Sequence, residues 1–120
     1  NDRFLTSLEI LPSLVAAAGS QVRDDIHLDG YDWWNAVRGA DSPRHAMFWK
    51  RRDHLAARVG HWKWVSKGKT GGLFNLADDI HEANDQSDAH PEILARMKKR
   101  FSEWTDEMES AEPRGPFRDF

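Results

Sequence analysis

Cysteine is absent from the 120 residues. That excludes disulfides, thiolate metal sites and cysteine nucleophiles. Long apolar runs are also missing: none reaches the roughly 18 residues needed to cross a bilayer, and no basic-then-apolar leader with a cleavage site opens the chain. An excess of one charge is lacking too, since 17 Lys and Arg against 20 Asp and Glu leave a formal net charge of −3. This balance gives no argument for nucleic acid or an acidic membrane as partner. Finally, Asn1-Asp2-Arg3 carries no initiator methionine. The expectation is a molecule that is processed or cut from something longer.

What is present is ordinary for a folded domain: 39% hydrophobic and 31% charged residues. One domain is expected. A chain of this length buries roughly two-thirds of its unfolded surface, which makes one core but not a large enzyme with a deep cleft.

The strongest local signal is a β-hairpin. Residues 55–59 and 62–66 are rich in β-branched and aromatic types, and Gly60-His61 is a two-residue connection in which glycine supplies positive φ. Ala46-Met47-Phe48-Trp49 reads as a preceding strand and Leu73 to Leu76 as a following one. The expected sheet is antiparallel, with three or four strands over 45–76.

Two helices flank it. From Leu8 to Ala18 the only polar breaks are Glu9 and Ser13, with Thr6 or Ser7 as N-cap, Gly19 as stop and Pro12 in the first turn or at a mild kink. A helix apolar nearly all round is normally buried on several sides, so part of its surface is expected to face a larger domain; an ordinary central helix is the alternative. The second, over 91–109, starts with Pro91 at N1 and carries Ile93, Leu94, Met97, Phe101, Trp104 and Met108 on one stripe. That stripe suits a helix lying across the sheet. The fold class is therefore α+β, a small antiparallel sheet covered by a C-terminal amphipathic helix, with an additional apolar N-terminal helix. Between them Asp32 can cap a short helix ended by Gly39, in which Trp33 and Trp34 point about 100° apart and form no flat sugar platform. The tail 110–120 has no periodicity and reads as an irregular strap.

Chemistry-bearing patterns are few. The six histidines are scattered without metal-ligand spacing, and Asp78-Asp79 with Glu82 and Asp85 lacks the calcium-loop pattern and reads as a solvated acidic turn. Ser66-Lys67-Gly68-Lys69-Thr70-Gly71-Gly72 contains Gly-Lys-Thr, but Lys63 stands where a phosphate-binding loop needs glycine and no helix follows. It reads as a flexible turn. The one cluster with a functional look is Lys50, Arg51, Arg52 and His54 beside Trp49, where a strand-to-strand turn can project positive groups toward an anionic substrate. The competing reading is a charged surface turn.

Several motifs in series carry a family resemblance. Thr6 to Leu14 with Ala18-Gly19 resembles the "SLDIxPTLxxLAG" helix of sulfatases, and Leu28-Asp29-Gly30 their "LDGxxLxPLL" turn. Phe48-Trp49 resembles the "LFW" strand, and the hairpin "AVRxGxWKLV". Leu73 to Leu76 with Asp79 and Glu82 resembles "LYDLxxDPxE", and His90-Pro91-Glu92 with Trp104 the closing helix. The order is that of the C-terminal subdomain of formylglycine-dependent, arylsulfatase-type sulfatases, from Thr6 to Met108. Asn75, Ile80 and the Trp33-Trp34 pair depart from the pattern.

The resemblance implies a parent that hydrolyses a sulfate ester with a formylglycine and a calcium, and that is exported or periplasmic. No Cys/Ser-x-Pro/Ala-x-Arg occurs here, so no catalytic or metal-binding residue is carried over, and the chain by itself is expected to be inactive. Its expected role is structural, with Arg51, Arg52 and His54 as substrate-binding candidates on the pocket rim. The expected partner is an N-terminal catalytic domain, or a second copy through Leu8, Leu11 and Val15 of the first helix; nucleic acid and membrane are not expected. The alternative is a stand-alone glycan-binding or protein-interaction module.

Overall fold

The computed structural model describes residues 4–111. They fall into two compact units, 4–45 and 46–111. The expected tail beyond Ala111 lies outside the described residues.

In the first unit a 3₁₀ turn, Ser7–Glu9, leads into α1, Ile10–Ala17. Thr6 and Glu9 form a capping box, so Thr6 is the cap. Gly19, at φ 69°, ends the helix in a Schellman motif: its N–H donates to the Ala16 carbonyl at 3.0 Å, and that of Ser20 to Val15 at 3.1 Å. The buried side chains are Glu9, Pro12 and Ser13, whereas Ile10, Leu11 and Leu14 are exposed. Within the described residues the apolar helix is thus buried on its polar edge and open on its aliphatic one. Pro12 offers no N–H to the Leu8 carbonyl, and Gly30 packs directly on it: a Cβ at Gly30 would stand 1.9 Å from the Leu8 oxygen.

Helix α2, Trp34–Val37, is a single turn. Asp32 Oδ1 accepts from the Trp34 N–H at 3.0 Å, although the residue at the cap position is Trp33, one later than expected. The rings of Trp33 and Trp34 are perpendicular, with centroids 6.3 Å apart. Both tryptophans tie back to α1 through Ser13, whose hydroxyl accepts from the Trp33 N–H at 2.9 Å and whose carbonyl accepts from Trp34 Nε1 at 3.0 Å.

The second unit is a four-stranded antiparallel meander, β1 Ala46–Arg51, β2 His54–Val59, β3 Trp62–Lys67 and β4 Thr70–Asn75, followed by α3, Pro91–Ser110. One rung, Phe48–Ala57–Trp64–Leu73, crosses all four strands. Ala57, Trp64 and Leu73 on it are buried against Met97 and Phe101 of α3. The alternation of strand residues and the helical stripe therefore meet in one core, as the sequence patterns predict. The expected flexible turn over 66–72 is much shorter than anticipated: only Gly68-Lys69 connects β3 to β4, and glycines 71 and 72 are strand residues. A Cβ at Gly72 would lie 2.8 Å from the Asp85 carboxyl carbon. Glycine there lets the loop 77–90 close on the β4 edge, where Leu73 N–H donates to Asp85 Oδ1 at 2.9 Å and Gln86 N–H to the Leu73 carbonyl at 2.7 Å. The edge strand is thereby covered.

This loop is also where the solvated acidic turn was expected. Its acids are exposed or half-buried, as that reading has them, and they also hold the loop together. Asp79 accepts from the N–H groups of Ala83 at 3.1 Å and Asn84 at 2.8 Å, Asp85 from Ser87, and Glu82 pairs with Lys63 of β3. Backbone N–H bonds from Ala83 and Asn84 hold the Asp79 carboxyl below its usual range, and the Ser87 hydroxyl, with the Leu73 and Ser87 N–H groups, does the same for Asp85.

Candidate functional site

The basic residues gather at one end of the sheet. Arg51 closes β1 and His54 opens β2, so the turn proper is Arg52-Asp53, narrower than the Lys50-to-His54 turn expected. Arg52 adopts φ 56°, the left-handed value that two-residue hairpins demand and that glycine more often supplies. The turn rests on the neighbouring one, since Gly68 N–H donates to the Asp53 carbonyl at 3.4 Å.

Register then aligns the charges. Arg51, His54, Lys67 and Thr70 form the last rung of the sheet. Arg51, Arg52 and His54 are all exposed. Arg51 and His54 line a cavity of about 580 Å³ with Trp49, Lys50, Lys67 and Trp104, whereas Arg52 does not line it. The Trp104 ring stacks on Phe48 at 5.5 Å between centroids, which fixes it as a wall. Lys50 Nζ donates to Glu109 Oε1 at 2.9 Å, so its charge is partly spent on α3, and His54 Nε2 lies 3.8 Å from Asp53 Oδ1. Apolar walls with a cationic rim suit a ligand that has an apolar body and an anionic group.

Lys67 joins this site although the sequence reading left it out. The Gly60-His61 turn already pairs Val59 with Trp62, and extending that register places Lys67 opposite His54. The signal was present in the hairpin itself.

The formylglycine and the calcium implied by the resemblance do not fit the residues of this chain. There is no cysteine, and the serines fall in no Ser-x-Pro/Ala-x-Arg sequence. Among the described residues no group of three or more His, Asp or Glu side chains converges to hold a metal ion, and no helix is long and apolar enough to cross a membrane.

No family model matches the chain. It is 27% identical to arylsulfatase J of Mus musculus, over 78% of this chain and 24% of that protein. Among solved structures it is similar to Ps i-CgsB, seen in complex with k-i-k-neocarrahexaose, at 27% identity and a TM-score of 0.70, covering 85% of this chain and 24% of that one. It shares its fold with a 2-O GAG sulfatase at 17% identity and a TM-score of 0.60, covering 85% of this chain and 25% of that one. The chain spans about a quarter of the length of these relatives. In sequence and in fold it is similar to a part of sulfatases, in agreement with the C-terminal subdomain that its motifs resemble.

Proposed function

We propose that this chain is the C-terminal part of a sulfatase, a sulfuric ester hydrolase, in which it completes the fold and contributes to the rim of the substrate pocket. The observation that carries the reading is the match over most of this chain to about a quarter of a curated arylsulfatase and of a solved structure. Formylglycine and calcium would belong to the remaining part of such an enzyme. The exposed Ile10, Leu11 and Leu14 of α1 would pack against it. At the rim, Arg51, Arg52 and His54 would meet the anionic part of a sulfate ester, with Lys67 beside them on the same rung. Ps i-CgsB, crystallised with a neocarrahexaose, makes a sulfated saccharide a reasonable first substrate to try.

The test is kinetic and uses the longer protein encoded around this chain. An upstream Cys/Ser-x-Pro/Ala-x-Arg is expected in its coding sequence. The isolated 120 residues should hydrolyse no aryl or saccharide sulfate. In the longer protein, replacing Arg51, Arg52 and His54 by alanine should raise KM about tenfold or more with kcat nearly unchanged, the signature of lost ground-state binding. Unaltered kinetics with every substrate would remove the rim assignment, and a start codon directly before Asn1 in the coding sequence would remove the parent.

A second reading is favoured by the same exposed aliphatic edge of α1: an interaction module that binds a partner chain or a second copy. Concentration-dependent association abolished by Leu11→Glu and Leu14→Glu, in a protein with no upstream catalytic sequence, would select it.

A further inference from the structure

The far end of the sheet carries a second cleft that the proposed function leaves unused. The rung Ala46–Val59–Trp62–Asn75 lies five strand positions from the basic rung, about 17 Å away at the usual rise per residue. There Trp62 lines a cavity of about 530 Å³ together with Asn75, Asp78, Asn84, Gln86 and His90. Its volume is within the range of small-molecule sites. One indole among amides, two carboxylates and an imidazole differs in kind from the apolar pocket with a basic rim.

The structure holds this cleft in shape. Trp62 stands edge-on to the His90 ring, with centroids 5.1 Å apart. Asn75 is locked from both ends: its Nδ2 donates to Asp78 Oδ2 at 2.7 Å, and its Oδ1 accepts from Ala77 N–H at 3.2 Å. Gln86 is fixed through its backbone, whose N–H donates to Leu73 and whose carbonyl accepts from His90 N–H at 2.9 Å. Its side-chain amide, by contrast, makes no hydrogen bond among the described residues, so two donors and an acceptor stand ready in the half-buried cleft.

We infer that this cleft binds a neutral sugar ring, with Trp62 as the stacking face and Gln86, Asn84 and Asp78 as hydroxyl partners. A pyranose presents an apolar C–H face to an indole and, around its rim, hydroxyls that both donate and accept; amides and carboxylates match those hydroxyls. An anionic sugar is disfavoured because Asp78 and Asp79 line the same cleft. A simple cation is disfavoured because, among the described residues, no group of three or more His, Asp or Glu side chains converges to hold one. This reading is independent of the sulfatase assignment and of the basic rim.

The test is nitrogen-15 NMR of the 120-residue chain, titrated with cellobiose, lactose, maltose and N,N′-diacetylchitobiose up to about 20 mM, well above a millimolar Kd. At least one should give saturable shifts of the Trp62 indole N–H and the Gln86 side-chain amide. Gln86→Ala with Asn84→Ala, both away from the core, should weaken binding about tenfold while leaving the backbone spectrum folded. No saturable shift with any of the four would overturn the inference. So would shifts unchanged in the double variant, or saturation by choline chloride without saturation by any sugar, which would mark a cation site.

Discussion

The Glu9 carboxylate, fully buried, is held by the Arg44 guanidinium 35 residues further along the chain. Arg44 Nε donates to Glu9 Oε1 at 2.9 Å and its Nη2 to the Asp29 carbonyl at 2.9 Å, while the Thr6 hydroxyl donates to Glu9 Oε2 at 2.8 Å. Through Arg44, this carboxylate therefore joins the cap of the 3₁₀ turn to two later segments. Removing the cation alone leaves a buried charge without its partner, so Arg44→Met should cost about 3–5 kcal/mol. Urea denaturation, with hydrogen exchange over residues 4–45 to locate the loss, checks this; a cost under about 1 kcal/mol would show that the pair contributes little.

Acid should unfold the first unit through the same group. Burial by itself raises the Glu9 pKa, but the hydrogen bonds from Arg44 and Thr6 outweigh it and hold the carboxyl below its ordinary 4.5. Its folded value being depressed, its contribution is complete above about pH 4.5 and is lost as pH falls through the folded value. Asp79 and Asp85, held below 3.8, add loss of the same sign in the second unit. The urea midpoint should be flat from neutral pH down to about that region and fall below it, with Glu9→Gln reducing the slope for residues 4–45.

Two glycines separate close approach from backbone conformation. Gly30→Ala places a methyl group on the Leu8 carbonyl and should cost more than about 2 kcal/mol, because backbone must move. Gly60→Ala meets nothing within 4 Å but keeps φ at 59°, and should cost about 1 kcal/mol. Gly60→Asn should recover most of that loss, since asparagine tolerates left-handed φ. Thermal unfolding of the three variants, converted to free energy, decides; equal losses for the two alanines would contradict the packing argument.

The core rung predicts a steep contrast within one stretch of chain. Leu73 is fully buried, whereas Ile80 is 70% exposed. Leu73→Ala should cost about 2–5 kcal/mol through the lost burial and the cavity left behind, and Ile80→Ala no more than about 0.5 kcal/mol. Chemical denaturation of both variants measures the difference.

The sequence alone determined the elements whose signals are local. Alternation in 55–59 and 62–66, the glycine at the hairpin turn and the stripe from Ile93 to Trp104 depend on neighbours a few residues away, and each formed as its pattern dictates. Thr6, capping the 3₁₀ turn that leads into α1, and Gly19, ending α1, bounded this helical segment for the same reason, because caps are satisfied within one turn. Strand ends were less legible: Lys50, Arg51 and glycines 71 and 72 read as turn residues, and pairing with an adjacent strand drew them into the sheet. Only the tertiary structure could decide what distant polar groups do. It buried Glu9 against Arg44 on the polar edge of a helix that looks aliphatic, brought backbone N–H groups onto the solvated Asp79 and Asp85, and set Lys67 beside Arg51 and His54. Those outcomes depend on which backbone N–H groups and charges arrive at the same place. No periodicity along the chain records that.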